Sequence, residues 1–158
     1  MDATDHRLVE LLQENGRATQ LQLAREVGLS QPAVAERIRK LEARGIIRGY
    51  CARVDAVALG KDVLAFIGVS IEHPRHFDAF TARVLALTDV LECHRVAGED
   101  SFLLKVRTEN TRTLDELLVK TLRIIPGVTR TQTTIVLASM KEETRIHTSP
   151  PRPSRRLR

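Results

Sequence analysis

Along the first third of the chain, apolar residues recur every three or four positions. Beyond it, that rhythm alternates with short continuous apolar runs. Leu8, Leu11 and Leu12 mark a helix over 4–15 that stops at Gly16. Leu21, Leu23, Ala24 and Val27 mark a second helix. Thr19 and Gln22 have the spacing of a capping box for it, and Gly28 supplies a left-handed stop. Ser30 is placed to cap a third, with Pro32 in the first turn, where a missing N–H costs little. Val34, Ile38 and Leu41 then share one face, and the helix ends at Gly45. The apolar and basic stretch 46–54 reads as a short strand pair, or wing.

From residue 63 the pattern changes. Residues 63–72 (VLAFIGVSIE) form an apolar strand, and Phe77, Phe80, Val84 and Leu87 mark a helix face. Residues 90–97 and 101–108 read as strands around a turn at Gly98-Glu99-Asp100. Leu114, Leu117, Leu118, Leu122 and Ile125 mark a further helix stopped by Pro126-Gly127, and the β-branched run 128–139 closes the series. The order βαββαβ predicts a ferredoxin-like split unit with an antiparallel sheet. The fold class is therefore α+β: an N-terminal winged helix-turn-helix followed by a ferredoxin-like domain. The expected divisions are 1–55, a hinge at 56–62, the second domain at 63–142, and a tail at 143–158. With both helices on one side of the sheet, the other side carries apolar residues of the first strand such as Leu64 and Phe66. Such a face asks for a partner, so the chain is expected to form a homodimer, sheet to sheet.

The second and third helices have the outline of a helix-turn-helix that lays its basic member in the major groove of duplex DNA. Ser30, Gln31, Ala33, Glu36, Arg37, Lys40, Arg44 and Arg48 are the candidate contacts. Gln31, Ala33 and Glu36 are placed for base edges, and Arg37, Lys40 and Arg44 for phosphates. Between 36 and 53 there are six Lys/Arg against two acids, a local excess suited to a phosphate backbone. The formal net charge of +5 adds little to this. Residues 1–55 hold nine Lys/Arg and eight Asp/Glu, and 56–140 hold ten of each, so most of the excess lies in 141–158. That tail ends SPPRPSRRLR, cannot bury a core, and is expected to be disordered. It could add salt-sensitive, non-specific affinity for DNA.

Several classes are disfavoured. No apolar run reaches the roughly 18 residues that a membrane helix requires, and the polar, acidic start does not read as a signal peptide. Cys51 and Cys93 lie far apart with no CxxC pattern, as in reduced cytoplasmic proteins. His73 and His76 lack a third metal ligand, and Cys93 and His94, adjacent on a strand, point to opposite faces. There is no phosphate loop, GxSxG or HExxH motif, so neither a catalytic residue, a metal nor a cofactor is expected. Aromatic residues make up only 3% of the chain, too few for base stacking on a sheet.

The chain resembles the leucine-responsive/asparagine-regulator (Lrp/AsnC, feast/famine) family from about residue 4 to about 142. The resemblance rests on Asn15-Gly16-Arg17, Leu23-Ala24, Gly28-Leu29-Ser30, Val34, Arg37-Ile38, Leu41-Glu42, Gly45-Ile46-Ile47 and Gly49-Tyr50. In the second half it rests on Val96 to Asp100, Leu103 to Val106, Pro126-Gly127-Val128, Arg130 to Thr133 and Ile135 to Leu137. It implies a transcription factor whose second domain senses a small molecule, usually an amino acid, and whose dimers often assemble into octamers. It also implies an effector site at Gly98, Glu99, Asp100 and Ser101, with Thr131, Thr133 and Thr134 from the last strand. There Asp100 would take the ammonium group, and the turn backbone and threonines the carboxylate. Many family members carry an aspartate followed by an aromatic just beyond this turn, where this chain reads Ser101-Phe102. Two alternatives remain on sequence: an architectural DNA-binding protein with little effector response, and a tetrapyrrole decarboxylase, an activity that proteins similar to this family possess.

Overall fold

A computed structural model describes residues 1–147, and within these the chain divides into two compact units. The first comprises Met1–Arg53 together with the returning segment from Glu142 onward; the second is Val54–Lys141. The first unit holds three helices: α1 (Ala3–Glu14), α2 (Gln20–Val27) and α3 (Gln31–Ala43). Each has a side-chain cap. The Asp2 carboxylate accepts from Asp5 N–H (2.9 Å), Thr19 Oγ1 from Gln22 N–H (3.2 Å) and Ser30 Oγ from Ala33 N–H (3.4 Å). These caps satisfy backbone donors that the first turn leaves without partners. Gly28 ends α2 at φ +66°, a conformation that costs a side chain energy but not glycine.

Leu8, Leu23, Ala24 and Val34 form the buried centre of this unit, with Leu11, Leu12, Val27, Leu29 and Ile38 packed around them. Of the apolar positions assigned to α2, Leu21 is the exception and lies exposed. The strand pair expected over 46–54 does not form. The N–H groups of Ile46 and Ile47 both turn back to the carbonyl of Leu41, at 2.9 and 3.2 Å, and so close the end of α3 instead of entering a ladder. The segment is held by Tyr50, whose hydroxyl donates to Glu42 at 3.1 Å. The first unit is therefore a helix-turn-helix without a wing among the described residues.

Residues 143–147, expected to be part of a disordered tail, hydrogen bond to α1. The Gln13 side chain clasps the backbone of Ile146 at both ends, Nε2 donating to its carbonyl (2.9 Å) and Oε1 accepting from its N–H (2.7 Å). Arg145 pairs with Glu14 at 3.1 Å, and Arg53 donates to the carbonyl of Glu142 at 2.8 Å. The proline- and arginine-rich remainder of the tail, 148–158, lies outside the described residues.

The second unit is a four-stranded antiparallel sheet of β1 (Val63–Ile71), β2 (Val90–Arg95), β3 (Phe102–Thr108) and β4 (Val128–Ile135), in the order β2-β3-β1-β4. Helix α4 (Phe77–Leu85) follows β1. Helix α5 (Thr111–Glu116) follows β3 and continues into a π-helical segment, Leu117–Leu122. This is the ferredoxin-like plan. Ala65, Ile67, Val69 and Ile71 on β1, with Phe102, Leu104 and Val106 on β3, join Phe80, Val84, Leu114, Leu118 and Leu122 in one core. The rings of Phe77 and Phe80 pack on Phe102 with centroids 5.1 and 4.9 Å away.

The other side of the sheet is less apolar than β1 alone suggests. Its apolar part is Leu64, Phe66 and Leu103, and Leu64 is already buried. The neighbouring strands add Glu92, Lys105, Arg107, Arg130, Gln132 and Thr134. A strand's two faces are set by residues two apart, so a central strand that is apolar throughout says nothing about its polar neighbours.

Candidate DNA-reading helix and effector site

Helix α3 carries the residues expected to meet DNA. Gln31, Glu36, Lys40 and Arg44 are exposed, as is Arg48 beyond it, and Ala33 is half-buried near the capped N-terminus. Arg44 and Arg48 make no ion pair among the described residues, so their charges are open to an anionic partner. Lys40 is largely exposed and lies 3.4 Å from Glu36. Glu36 also receives a two-point contact from Arg39, at 2.9 and 2.8 Å. The Arg39 hydrogen bond, with help from Lys40, brings the Glu36 pKa down to about 2.

Arg37 stands apart from the others. Its guanidinium is shared between Asp2 (2.8 Å) and Asp5 (2.6 Å) at the start of α1. Hydrogen bonds to these two carboxylates raise its pKa further. Asp2 is lowered in turn, first by the backbone N–H of Asp5 and then by Arg37. This arginine ties the recognition helix to α1. The sequence gives no sign of it, because its two partners lie more than thirty residues upstream.

In the second unit the turn between β2 and β3 is fastened to the end of β1. Gly98 enters it at φ +149°. Ser101 donates its N–H to the carbonyl of Val69 (2.9 Å), and its hydroxyl accepts from the N–H of Ile71 (3.1 Å). The Asp100 carboxylate lies across β1. It accepts from the Ser70 hydroxyl at 2.9 Å and from Arg130 Nη2 at 3.3 Å. Arg130 also reaches Glu99, at 3.5 Å. A Cβ on Gly68 would overlap the Asp100 carboxylate, so the strand needs glycine at this point for the carboxylate to sit there.

The structure thus brings Glu99, Asp100 and Ser101 together with Gly68, Ser70 and Arg130. The three threonines do not share a face. Thr131 and Thr133 lie opposite Val69 and Ile67 and so face the helices, whereas Thr134, opposite Phe66, faces away. Thr131 is already bonded, its hydroxyl accepting from Arg123 Nε at 2.9 Å. Gly68, Ser70 and Arg130 were not among the expected site residues. A lone glycine inside an apolar strand is a signal of close approach that was available for Gly68. Arg130 becomes apparent only once β4 is known to pair with β1.

The remaining polar clusters have local explanations. His73 Nδ1 accepts from the N–H of Arg75 (3.2 Å) and His76 Nε2 from Arg75 Nε (3.1 Å), so both rings are engaged beside the start of α4. Cys93 packs against the core, where burial raises its pKa, while His94 pairs with Glu92 on the opposite face at 3.0 Å.

A capped reading helix, with a separate ferredoxin-like unit carrying a polar cluster at Asp100, is the plan of a DNA-reading regulator with a ligand-binding domain. Residues 1–42 match the AsnC-type helix-turn-helix domain, and residues 64–146 match the Lrp/AsnC ligand binding domain. The chain belongs to the Lrp/AsnC family of transcriptional regulators. It is 34% identical over 148 residues to the leucine-responsive regulatory protein of Escherichia coli K12, covering 92% of this chain and 90% of that protein. Among solved structures, the feast or famine regulatory protein of Mycobacterium tuberculosis, complexed with L-methionine, superposes with a TM-score of 0.86. The two are 37% identical, over 93% of this chain and 99% of the other. A Neisseria meningitidis transcriptional regulator, also complexed with L-methionine, gives 0.86 at 32% identity, over 91% of this chain and 94% of that one.

Proposed function

We propose that this protein is a sequence-specific regulator of transcription whose binding to duplex DNA is modulated by an amino acid. The observation that carries the reading is α3 itself: a helix capped by Ser30, exposing Gln31 in its first turn and Lys40 and Arg44 further along. Gln31, with Ala33, reads base edges, and Ser30 sits beside them at the helix start, while Glu36, also expected there, is held by Arg39 and Lys40. Lys40, Arg44 and Arg48 hold phosphates. Arg37 serves the reader indirectly, by fixing α3 to α1. The effector site lies at Gly98 to Ser101. The amino-acid class is supported by the two relatives complexed with L-methionine.

The second unit is the place for homodimer formation, through the Leu64, Phe66 and Leu103 face, with dimers assembling further into an octamer. Light scattering with and without amino acid reads both steps. The protein performs no catalysis and acts where the chromosome is, in the cytoplasm.

The test is fluorescence anisotropy of a labelled fragment from upstream of the protein's own gene, against a scrambled duplex, across a salt series and with each amino acid added. Tighter binding to the upstream fragment, altered by one amino acid, is the expected result. Equal binding to both duplexes with a steep salt slope would make the protein architectural, and no binding to either at low salt would remove the DNA-reading assignment. Within that assay, Lys40→Ala weakens binding to every sequence and lowers the salt slope by about one. Gln31→Ala instead changes which sequence is preferred.

A further inference from the structure

We infer that Asp100 and Arg130 form a charge-paired subsite that a zwitterion opens: the ligand's ammonium group replaces Arg130 on Asp100, and its carboxylate replaces Asp100 on Arg130. This rests on the effector reading above and assigns the two ends of the ligand to particular side chains.

Ser101 and Thr131 are poor partners for a ligand carboxylate in this chain. The Ser101 N–H is committed to Val69, the Ser101 hydroxyl to Ile71, and the Thr131 hydroxyl to Arg123. Thr133 faces the helices. Arg130 is the cationic group beside Asp100. It already bridges two side chains, Nη2 on Asp100 at 3.3 Å and Nε on the Ser70 hydroxyl at 3.4 Å. Its planar fork matches a carboxylate at two points.

The pair sits at the end of the open face, where β4 begins beside the β2–β3 turn, and in the single chain it is within reach of solvent. The Asp100 side chain is 23% exposed and that of Arg130 49%. Gly68 keeps the carboxylate low over β1, where Ser70 holds it after Arg130 turns away.

The charge balance sets the selectivity. An amine that displaces Arg130 leaves its guanidinium with Glu99 alone, a fully hydrated carboxylate 3.5 Å away. A carboxylic acid that captures Arg130 leaves Asp100 with Ser70 alone. Only a ligand carrying both groups close together replaces both halves, so the intact pair discriminates against half-ligands.

The experiment is isothermal titration of the full-length protein with each of the twenty amino acids. It then uses the amine and the carboxylic acid derived from the tightest binder by removing one group. For methionine these are 3-(methylthio)propylamine and 4-(methylthio)butanoate. Wild type is expected to prefer the amino acid over either half-ligand by about tenfold or more. In Arg130→Gln the amine should bind as well as the amino acid. In Asp100→Asn the acid should do so. Gly68→Ala, checked for fold by circular dichroism, should weaken the amino acid by about tenfold. If wild type binds an amino acid while Arg130→Gln and Asp100→Asn leave its affinity and selectivity unchanged, the subsite is elsewhere and this inference falls alone. If wild type binds none of the twenty, the effector reading falls with it.

Discussion

Two adjacent charged side chains on the recognition helix, Glu36 and Arg37, do different work. Glu36 is a carboxylate on the face offered to DNA, yet it spends its charge on Arg39 and Lys40. With its pKa near 2, the pairing is present above the ordinary carboxylate range and is lost only as pH falls through about 2, so DNA binding at neutral pH meets it fully formed. Glu36→Gln therefore releases two cations. Binding to every duplex should tighten and the salt slope steepen by about one, read by anisotropy. An altered base preference at unchanged slope would instead make Glu36 a base reader.

Arg37 faces inward to Asp2 and Asp5, and its replacement by alanine should show in stability before it shows in base preference. The Asp2 carboxyl is held below its ordinary value of 3.8. It stabilises the fold above that value and ceases to as pH falls through its lowered one. Acid unfolding followed by circular dichroism should show wild type losing stability below about pH 4, and Arg37→Ala starting lower and changing less. An identical acid profile in both proteins would separate Arg37 from the capping of α1.

At the scale of the element, the helix boundaries were legible because their signals are local. Thr19 with Gln22, Ser30 before Pro32, and Gly28 and Gly45 after the apolar faces all act within four residues of the turn they shape. Gly28→Ala, which puts a Cβ at φ +66°, should cost about 1 kcal/mol, and Ser30→Ala a similar amount through the lost cap, both read by urea denaturation. Strand order in the second unit followed equally from the succession of apolar runs and helix faces. The wing did not, since whether Ile46 and Ile47 join a ladder depends on what else their N–H groups can reach, and the Leu41 carbonyl is nearer. The site at Asp100 was half legible. Its turn is marked by Gly98, but Ser70 and Arg130 enter through pairing between strands that are far apart in the chain.

For the whole molecule, the return of the chain after β4 changes what the C-terminus is. Composition reads residues 143–158 as one solvated basic tail, but 143–147 belong with the DNA-reading unit, fastened by Gln13, Glu14 and Arg53. The arginines beyond, Arg152, Arg155, Arg156 and Arg158, are thus tethered close in sequence to a segment bound to α1. Two truncations separate the parts. Ending the chain at His147 removes four positive charges and leaves the clasp, so thermal stability should hold while the salt slope of DNA binding falls, by about 0.9 for each phosphate an arginine had neutralised. Preference for the specific site should rise, since the lost affinity is independent of sequence. Ending it at Lys141 also removes the partners of Gln13 and Glu14, and should lower the melting temperature of the DNA-reading unit, followed by circular dichroism. Gln13→Ala should reproduce part of that loss in the full-length chain. If both truncations melt together with wild type, the clasp contributes nothing to stability. An unchanged salt slope in the shorter deletion would leave the arginines without a place on DNA.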